Sequence, residues 1–152
     1  MFELTSPDFT NGGMIPQLYS CDGEDTSPKL IWKDPPQGTK SFALIMDDPD
    51  APMGTWVHWI IFNIPPEKLS LPRAVSPEMN LPDGSQQGRN SWHQISYGGP
   101  CPPSGTHRYL FKLYALATIL DLEAGADKAT LVRAMEKHIL KKAELMGLFK
   151  RD

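Results

Sequence analysis

Three stretches of the chain have apolar residues on one or both faces of a period-two pattern, and this predicts three long β-strands. The stretch 41–47 is apolar on both alternating faces, which is typical of a central strand that is covered on both sides. Residues 56–64 and 107–117 show the same period of two and are bounded by prolines and glycines. We therefore expect a β-sheet in which the first of these strands is central.

Shorter apolar runs predict the remaining strands. Residues 2–9, 15–19 and 30–32 each have the length and composition of a short strand, and turn-forming residues separate them. Residues 67–98 carry several prolines and glycines between short apolar fragments. We predict a long functional or covering loop there, with one short strand in it.

One helix is predicted near residues 130–146. Its apolar positions recur at steps of three and four and form one stripe: Val132, Met135, Ile139, Ala143 and Met146. Asp127 or Thr130 can cap its N-terminus, and Gly147 can end it. Strands with proline-rich turns, followed by a helix, favour a β-sandwich or a barrel with helices packed outside.

Composition narrows the class of protein. A chain of 152 residues is expected to form one domain. The 15 Lys and Arg residues are outnumbered by 18 Asp and Glu residues, and no basic run interleaves with aromatic residues, so nucleic acid is not an expected partner. No apolar stretch approaches the roughly 20 residues of a membrane span, and the N-terminus does not resemble a signal peptide. We therefore expect no integral membrane contact and a cytoplasmic location, where Cys21 and Cys101 would be free thiols rather than a disulfide.

Three acids, Asp47, Asp48 and Asp50, follow the predicted central strand directly. They are open to three interpretations: a solvated turn, a cation site, or a site organised for another purpose. The spacing of an EF-hand calcium loop is absent. By alternation, Asp48 continues the face of Met46 and would leave the strand pointing toward the core.

Two histidines stand on apolar strand faces, each close to a loop rich in Pro, Gly or Asp. His58 and His107 could be ordinary hydrogen-bonded core residues. If instead both line one pocket with Asp48, the acid would orient an imidazole and favour its protonated form. With the hydroxyl of Tyr109, which shares the face of His107, such a pocket would receive an anion. The acid would favour a phosphate monoanion or diester over a dianion.

Catalytic interpretations have less support. The sequence contains no nucleophile elbow, no zinc-protease motif and no glycine-rich nucleotide loop. Cys101 near His107 leaves open a hydrolase that uses a Cys–His pair. A zinc site made by these two residues and His58 lacks paired-ligand spacing, so neither a metal nor another cofactor is expected.

Three motifs together resemble one known family. They are Asp-Pro-Asp-Ala-Pro at 48–52, Trp-Val-His at 56–58, and Gly-Pro-Cys-Pro-Pro-Ser-Gly-Thr-His-Arg-Tyr at 99–109. With Cys-Asp-Gly at 21–23 and Ala-Glu-Leu-Met-Gly at 143–147, they are similar to the phosphatidylethanolamine-binding protein (PEBP) family. The similarity is greatest to its bacterial and archaeal Raf-kinase-inhibitor-like branch and spans nearly the whole chain.

The resemblance implies a mainly β fold: a single domain over residues 1–152, built as a Greek-key β-sandwich with a C-terminal helix packed outside. It also implies a pocket for phosphate-bearing groups. The ligand-binding residues carried over are Asp48, Asp50, Trp56, His58, Cys101, Pro102, His107 and Tyr109. Arg108 belongs to the motif but should point away from His107 and support the loop.

The function that this resemblance implies is binding rather than catalysis. The protein is expected to hold a phosphorylated or other anionic small molecule and to modulate a protein kinase or a protease through the pocket face. Exposed apolar strand edges make a homodimer a further expectation.

Overall fold

The structure, a computed structural model that describes residues 1–152, contains two antiparallel β-sheets. The elements in chain order are β1 (Glu3–Thr5), a 3-10 helix (Gln17–Tyr19), β2 (Leu30–Lys33), β3 (Ser41–Asp48), β4 (Trp56–Ile64), β5 (Ser70–Leu71), β6 (Gln86–Gln87), β7 (Gly105–Leu116), α1 (Lys128–Met135) and β8 (Ile139–Arg151). The smaller sheet has the order β1-β2-β5, and the larger has the order β6-β4-β3-β7-β8. This confirms the predicted mainly β sandwich with a helix outside.

Strand β3 lies at the centre of the larger sheet, and all eight of its residues are buried. Phe42, Leu44 and Met46 face the smaller sheet and join the main core. Ala43 and Ile45 face the other way, into a second core that α1 covers. The double-faced apolar pattern of this strand therefore has the cause predicted from the sequence: both faces of the sheet are covered.

The predicted helix over 130–146 is wrong in its second half. Helix α1 begins after Asp127, whose carboxylate accepts a hydrogen bond from the Thr130 N–H at 2.9 Å, and it ends at Met135. Residues 139–151 form β8, which pairs antiparallel with the whole length of β7. Gly147 therefore does not end a helix; it lies inside β8, where Ile15 occupies the space a Cβ would need. No helix of the protein combines the length and the apolar character needed to cross a membrane.

The shorter predicted elements are partly displaced. Residues 15–19 contain a 3-10 helix in place of a strand, and β1 covers only three residues of the predicted run 2–9. The long segment 67–98 holds two very short strands, β5 and β6, one on each sheet. Most of its backbone lies outside regular helices and strands, which agrees with its content of proline and glycine.

The two cysteines form a disulfide, so the prediction of free thiols is wrong. The Cα atoms of Cys21 and Cys101 lie 5.4 Å apart, although 80 positions separate them in sequence. The fold brings the turn after the 3-10 helix against the segment before β7, where the Cys21 N–H donates to the Pro100 carbonyl at 3.0 Å. The prediction of free thiols assumed a reducing compartment, and the sequence alone does not show that the two cysteines are close in space.

Candidate functional site

A β-bulge positions the first histidine of the site. Between β3 and β4, Met46 pairs with Trp59 and Asp47 pairs with Val57, so His58 is an extra residue with no partner in the register. Bulges of this kind re-aim a side chain and are frequent beside functional sites. His58 thus leaves the simple alternation predicted for its strand, yet it remains almost fully buried.

The three acids at the end of β3 point to different basic partners. The buried Asp47 points to the helix side and lies 2.8 Å from the Lys128 ammonium. Asp48 points to the sandwich core side and lies 2.6 Å from His107. Asp50 is held by the Arg108 guanidinium and backbone N–H at 2.8–3.0 Å.

This divergence decides between the interpretations of the acidic stretch. Asp47 and Asp48 are buried, so the segment is not a solvated turn. No group of three or more His, Cys, Asp or Glu side chains is arranged to hold a metal ion. The acids are instead organised around separate basic side chains. Arg108 supports the loop through Asp50, as its position in the strand predicts.

A cavity of about 260 Å³ opens where the ends of β3, β4 and β7 meet. Its walls are Asp48, Ala51, Pro52, Met53, Trp56, His58, Trp92, Cys101, Pro102, Pro103, His107 and Tyr109. Seven of the eight predicted ligand-binding residues are therefore brought together. The exception is Asp50, whose carboxylate is turned away toward Arg108. That these residues bind a ligand stays a prediction.

Sequence reasoning missed several of the walls. Ala51, Pro52 and Met53 come from the turn between β3 and β4, and Met53 is almost fully exposed at the mouth. Trp92 comes from the irregular segment 67–98. The sequence offered one signal for it, namely that a large aromatic residue stands there among polar neighbours. Its ring meets His58 edge-on at a centroid distance of 4.9 Å.

Asp48 fixes the orientation of His107. The ring nitrogen Nδ1 of His107 lies 2.6 Å from Asp48 Oδ2, and both side chains are buried. The other carboxylate oxygen, Oδ1, accepts the Asp50 N–H at 2.7 Å. Because a carboxylate accepts hydrogen bonds, Nδ1 of His107 carries the proton, and Nε2 is the nitrogen left for other contacts.

His58 is held by the backbone of the segment before the rim. Its Nδ1 donates to the Gly98 carbonyl at 2.7 Å, so Nδ1 carries a proton and Nε2 is left for other contacts. Burial lowers the pKa of His58, and this outweighs the opposing effects of the Gly98 carbonyl and the Asp48 charge. Asp48 thus favours the protonated imidazole of His58, as expected, but desolvation outweighs this effect.

Two buried polar groups in the cavity wall have no hydrogen-bond partner. They are the indole Nε1–H of Trp56 and the hydroxyl of Tyr109. Burial, reinforced by the nearby Asp48 charge, raises the pKa of Tyr109 well above its ordinary value, so the phenol keeps its proton. An unpartnered buried donor is costly by about 1–3 kcal/mol, and such groups are rare in folded proteins. The wall thus presents two donors that lack an acceptor.

The rim of the cavity is fastened covalently. Cys101, Pro102 and Pro103 form this edge, and the disulfide joins it to the turn after the 3-10 helix. The Arg151 guanidinium donates to the Pro102 carbonyl at 3.4 Å. Prolines have no N–H to pair with a neighbouring strand, so the covalent bond supplies much of the attachment. It also leaves Cys101 without a thiol, and a Cys–His nucleophile would first require reduction of this bond.

Comparison with known proteins places the chain in a wide group of relatives. A family model described as phosphatidylethanolamine-binding protein matches residues 5–150. A UPF0098 protein of Methanothermobacter thermautotrophicus is 54% identical over 143 residues, which is 94% of this chain and 95% of that protein. A UPF0098 protein of Aquifex aeolicus is 46% identical over 155 residues and spans 100% of this chain and 90% of that protein.

Two crystal structures share the fold over almost the entire chain. CT736 of Chlamydia trachomatis, a PEBP homologue, gives a TM-score of 0.91 at 40% identity and covers 99% of this chain and 98% of that one. YbcL of Escherichia coli, described as a member of the mammalian PEBP family, gives a TM-score of 0.92 at 33% identity. The coverage is 99% of both chains.

Proposed function

The chain belongs to the phosphatidylethanolamine-binding protein family, and from that premise we propose that it binds a small anion of the phosphate type in the cavity at the ends of β3, β4 and β7. The family supports ligand binding in general. The anionic class of the ligand is our inference from the polar groups in the cavity wall.

The observation that carries this proposal is the pair of donors without acceptors. The indole N–H of Trp56 and the hydroxyl of Tyr109 are buried in the wall and donate to no acceptor in the protein. Trp56 can only donate, and a phenol that retains its proton can donate as well. An anionic oxygen that reached either group would accept a hydrogen bond from it, and hydrogen bonds to charged groups contribute about 1.5–3 kcal/mol each.

Other groups in the cavity wall favour a ligand that also carries a proton. Neutral His58 offers Nε2 as an acceptor, and the Asp48 carboxylate adds negative charge to the cavity. Both features disfavour a dianion, whose charge would be close to that of Asp48. A protonated monoanion can donate its O–H to His58 and accept from Tyr109 with its charged oxygen. The proposed ligand is therefore a phosphate monoanion, or a diester, which is monoanionic but has no proton to donate.

Calorimetric titration with inorganic phosphate tests this proposal. The Tyr109→Phe substitution removes one donor and leaves the ring, so we expect the affinity to fall at least tenfold, the equivalent of about 1.4 kcal/mol. Tyr114→Phe is the matched control, because Tyr114 lies on the same strand and faces the second core. Equal affinities for the wild type and Tyr109→Phe would overturn the proposed site.

We further propose that the protein acts without catalysis, by contacting a protein kinase or a protease through the face that surrounds the cavity. Two large apolar side chains at the mouth, Met53 and Trp92, are 95% and 40% exposed, which supports a protein contact there. Inhibition assays against a panel of kinases and proteases test this. We expect the wild-type protein to inhibit at least one of these enzymes and the Met53→Glu variant not to inhibit it. An inhibition that survives this charge at the mouth would place the contact elsewhere.

A further inference from the structure

A second and larger cavity adjoins the proposed anion cavity. It has a volume of about 400 Å³, and two residues, Trp92 and Cys101, belong to the walls of both cavities. The ring of Trp92 is fixed between the two by edge-on contacts with His58 and with Trp56. Its backbone N–H donates to the Asn90 side chain at 2.9 Å, which anchors the Trp92 backbone at the border of the two cavities.

The buried polar groups of the two cavities differ in one respect. In the second cavity, Asn90 donates to the Ser96 carbonyl at 3.0 Å and accepts two backbone N–H groups. The Tyr97 hydroxyl donates to the Tyr19 carbonyl at 2.7 Å. No residue of this wall has a buried side-chain polar atom without a partner, whereas Trp56 and Tyr109 in the first cavity both do.

This difference separates the chemistry of what each cavity would hold. Unpartnered donors favour a polar, anionic group, while a wall whose buried polar groups are already satisfied gains from apolar contact instead. The second wall presents flat or apolar surfaces from Trp92, Tyr97 and Ile95 beside polar side chains. A single charged side chain, Asp25, lies in it and disfavours a second anionic group.

We infer that the ligand is an organic monoanion, whose charged group occupies the first cavity and whose neutral aromatic substituent lies against Trp92 in the second. This inference rests on the proposed function, because the first cavity must take the anion. Aromatic rings packed offset or edge-on against an indole contribute about 0.5–1.5 kcal/mol beyond the area they bury. The two volumes together match the roughly 300–1,000 Å³ of typical small-molecule sites.

Phenyl phosphate and methyl phosphate, compared in calorimetric titrations of the full chain, test the inference. Both probes carry the same phosphate group, and they differ in the size and aromatic character of the substituent. We expect phenyl phosphate to bind at least tenfold more tightly. Intermolecular nuclear Overhauser effects between the phenyl protons and the Trp92 ring are expected in the same complex.

A substitution that fills the second cavity tests the inference directly. The Gln94 side chain lines this cavity and makes no hydrogen bond, so Gln94→Trp should occupy the space with little effect on the fold. We expect it to abolish the preference for phenyl phosphate and to leave the affinity for methyl phosphate unchanged. Gln37→Trp, at an exposed turn residue before β3, is the matched control and should keep the preference.

The outcomes separate this inference from the proposed function. Equal affinities for the two probes, or a phenyl ring without contacts to Trp92, would overturn the second site and leave the anion cavity standing. The wild-type comparison decides this even if Gln94→Trp does not fold. Failure of both probes to bind at millimolar concentration would overturn the anion cavity, and the second site with it.

Discussion

Removal of the disulfide should cost a large share of the stability of this protein. The bond between Cys21 and Cys101 closes a loop across 80 sequence positions. In the chain-entropy treatment, a loop of this length restricts the unfolded state by about 4.5 kcal/mol at 25 °C. A domain has a total free energy of unfolding of only about 5–15 kcal/mol, so the effect should be readily measurable.

The assay is equilibrium unfolding in guanidinium chloride, monitored by the fluorescence of the four tryptophans. We expect the double variant Cys21→Ala, Cys101→Ala to unfold with a free energy lower by about 3–5 kcal/mol. At about 2–4 °C per kcal/mol for a chain of this size, the midpoint of thermal unfolding should fall by about 6–20 °C. Reductant should destabilise the wild type similarly and should not affect the double variant.

A loss below about 1 kcal/mol would refute the reasoning. It would show that the unfolded chain gains little freedom when the bond is removed, or that the two loops remain associated through the hydrogen bond between the Cys21 N–H and the Pro100 carbonyl. A destabilisation of the double variant by reductant would show that the reductant acts on something other than the disulfide.

Three further predictions concern packing and charge. Gly147→Ala would place a Cβ about 2.5–2.6 Å from side-chain atoms of Ile15, so the free energy of unfolding should fall by about 1–3 kcal/mol in denaturant; a change under about 0.5 kcal/mol would contradict this. Because burial lowers the pKa of His58, the unfolded state binds the proton more readily, and stability should decrease as the pH falls below 6.5. A His58→Gln variant should lose part of this slope, and identical slopes would argue against it. The Arg108 side chain lowers the pKa of Asp50 to about 2, so this pair stabilises the fold above pH 3.8 and the contribution disappears as the pH falls toward 2. Since the pair is partly exposed, Asp50→Asn should cost only about 1 kcal/mol at neutral pH, and an unchanged acid-unfolding curve would count against the pairing.

The sequence was most informative where one pattern had one structural explanation. The double-faced apolar run of β3 predicted a covered central strand, and the alternation continued past Met46 placed Asp48 on the core side correctly. The motif resemblance then identified most of the residues that form the cavity. Local alternation was sufficient for the strand, whereas the set of cavity residues depended on the resemblance to a known family.

The errors arose where distant parts of the chain decide the structure. Residues 139–146 fit a helical stripe, but the alternating burial of Ala143, Leu145 and Phe149 fits a strand as well. The presence of β7 as a long antiparallel partner decides between the two, and its pairing is not visible in local sequence. The disulfide was missed for the same reason, since only the fold brings the two cysteines together.

The prediction of the site was incomplete for a related reason. The bulge that re-aims His58 depends on the register between β3 and β4, and the contribution of Trp92 depends on how an irregular loop folds back. Which basic side chain each acid contacts also depends on the fold. Asp50 resembles a ligand-binding acid by motif, but its carboxylate is committed to Arg108.

The indole N–H signal of Trp56 provides the most direct test of the anion cavity. In the wild-type protein this group is buried without an acceptor, whereas the indole N–H groups of Trp32 and Trp59 already donate to the Lys68 carbonyl and the Gln87 side chain. In a ¹H–¹⁵N spectrum, titration with phosphate should move the Trp56 indole proton downfield as it gains a charged acceptor. The Trp32 and Trp59 signals should stay in place and serve as internal controls. A Trp56 signal that does not move at saturating phosphate would contradict the account.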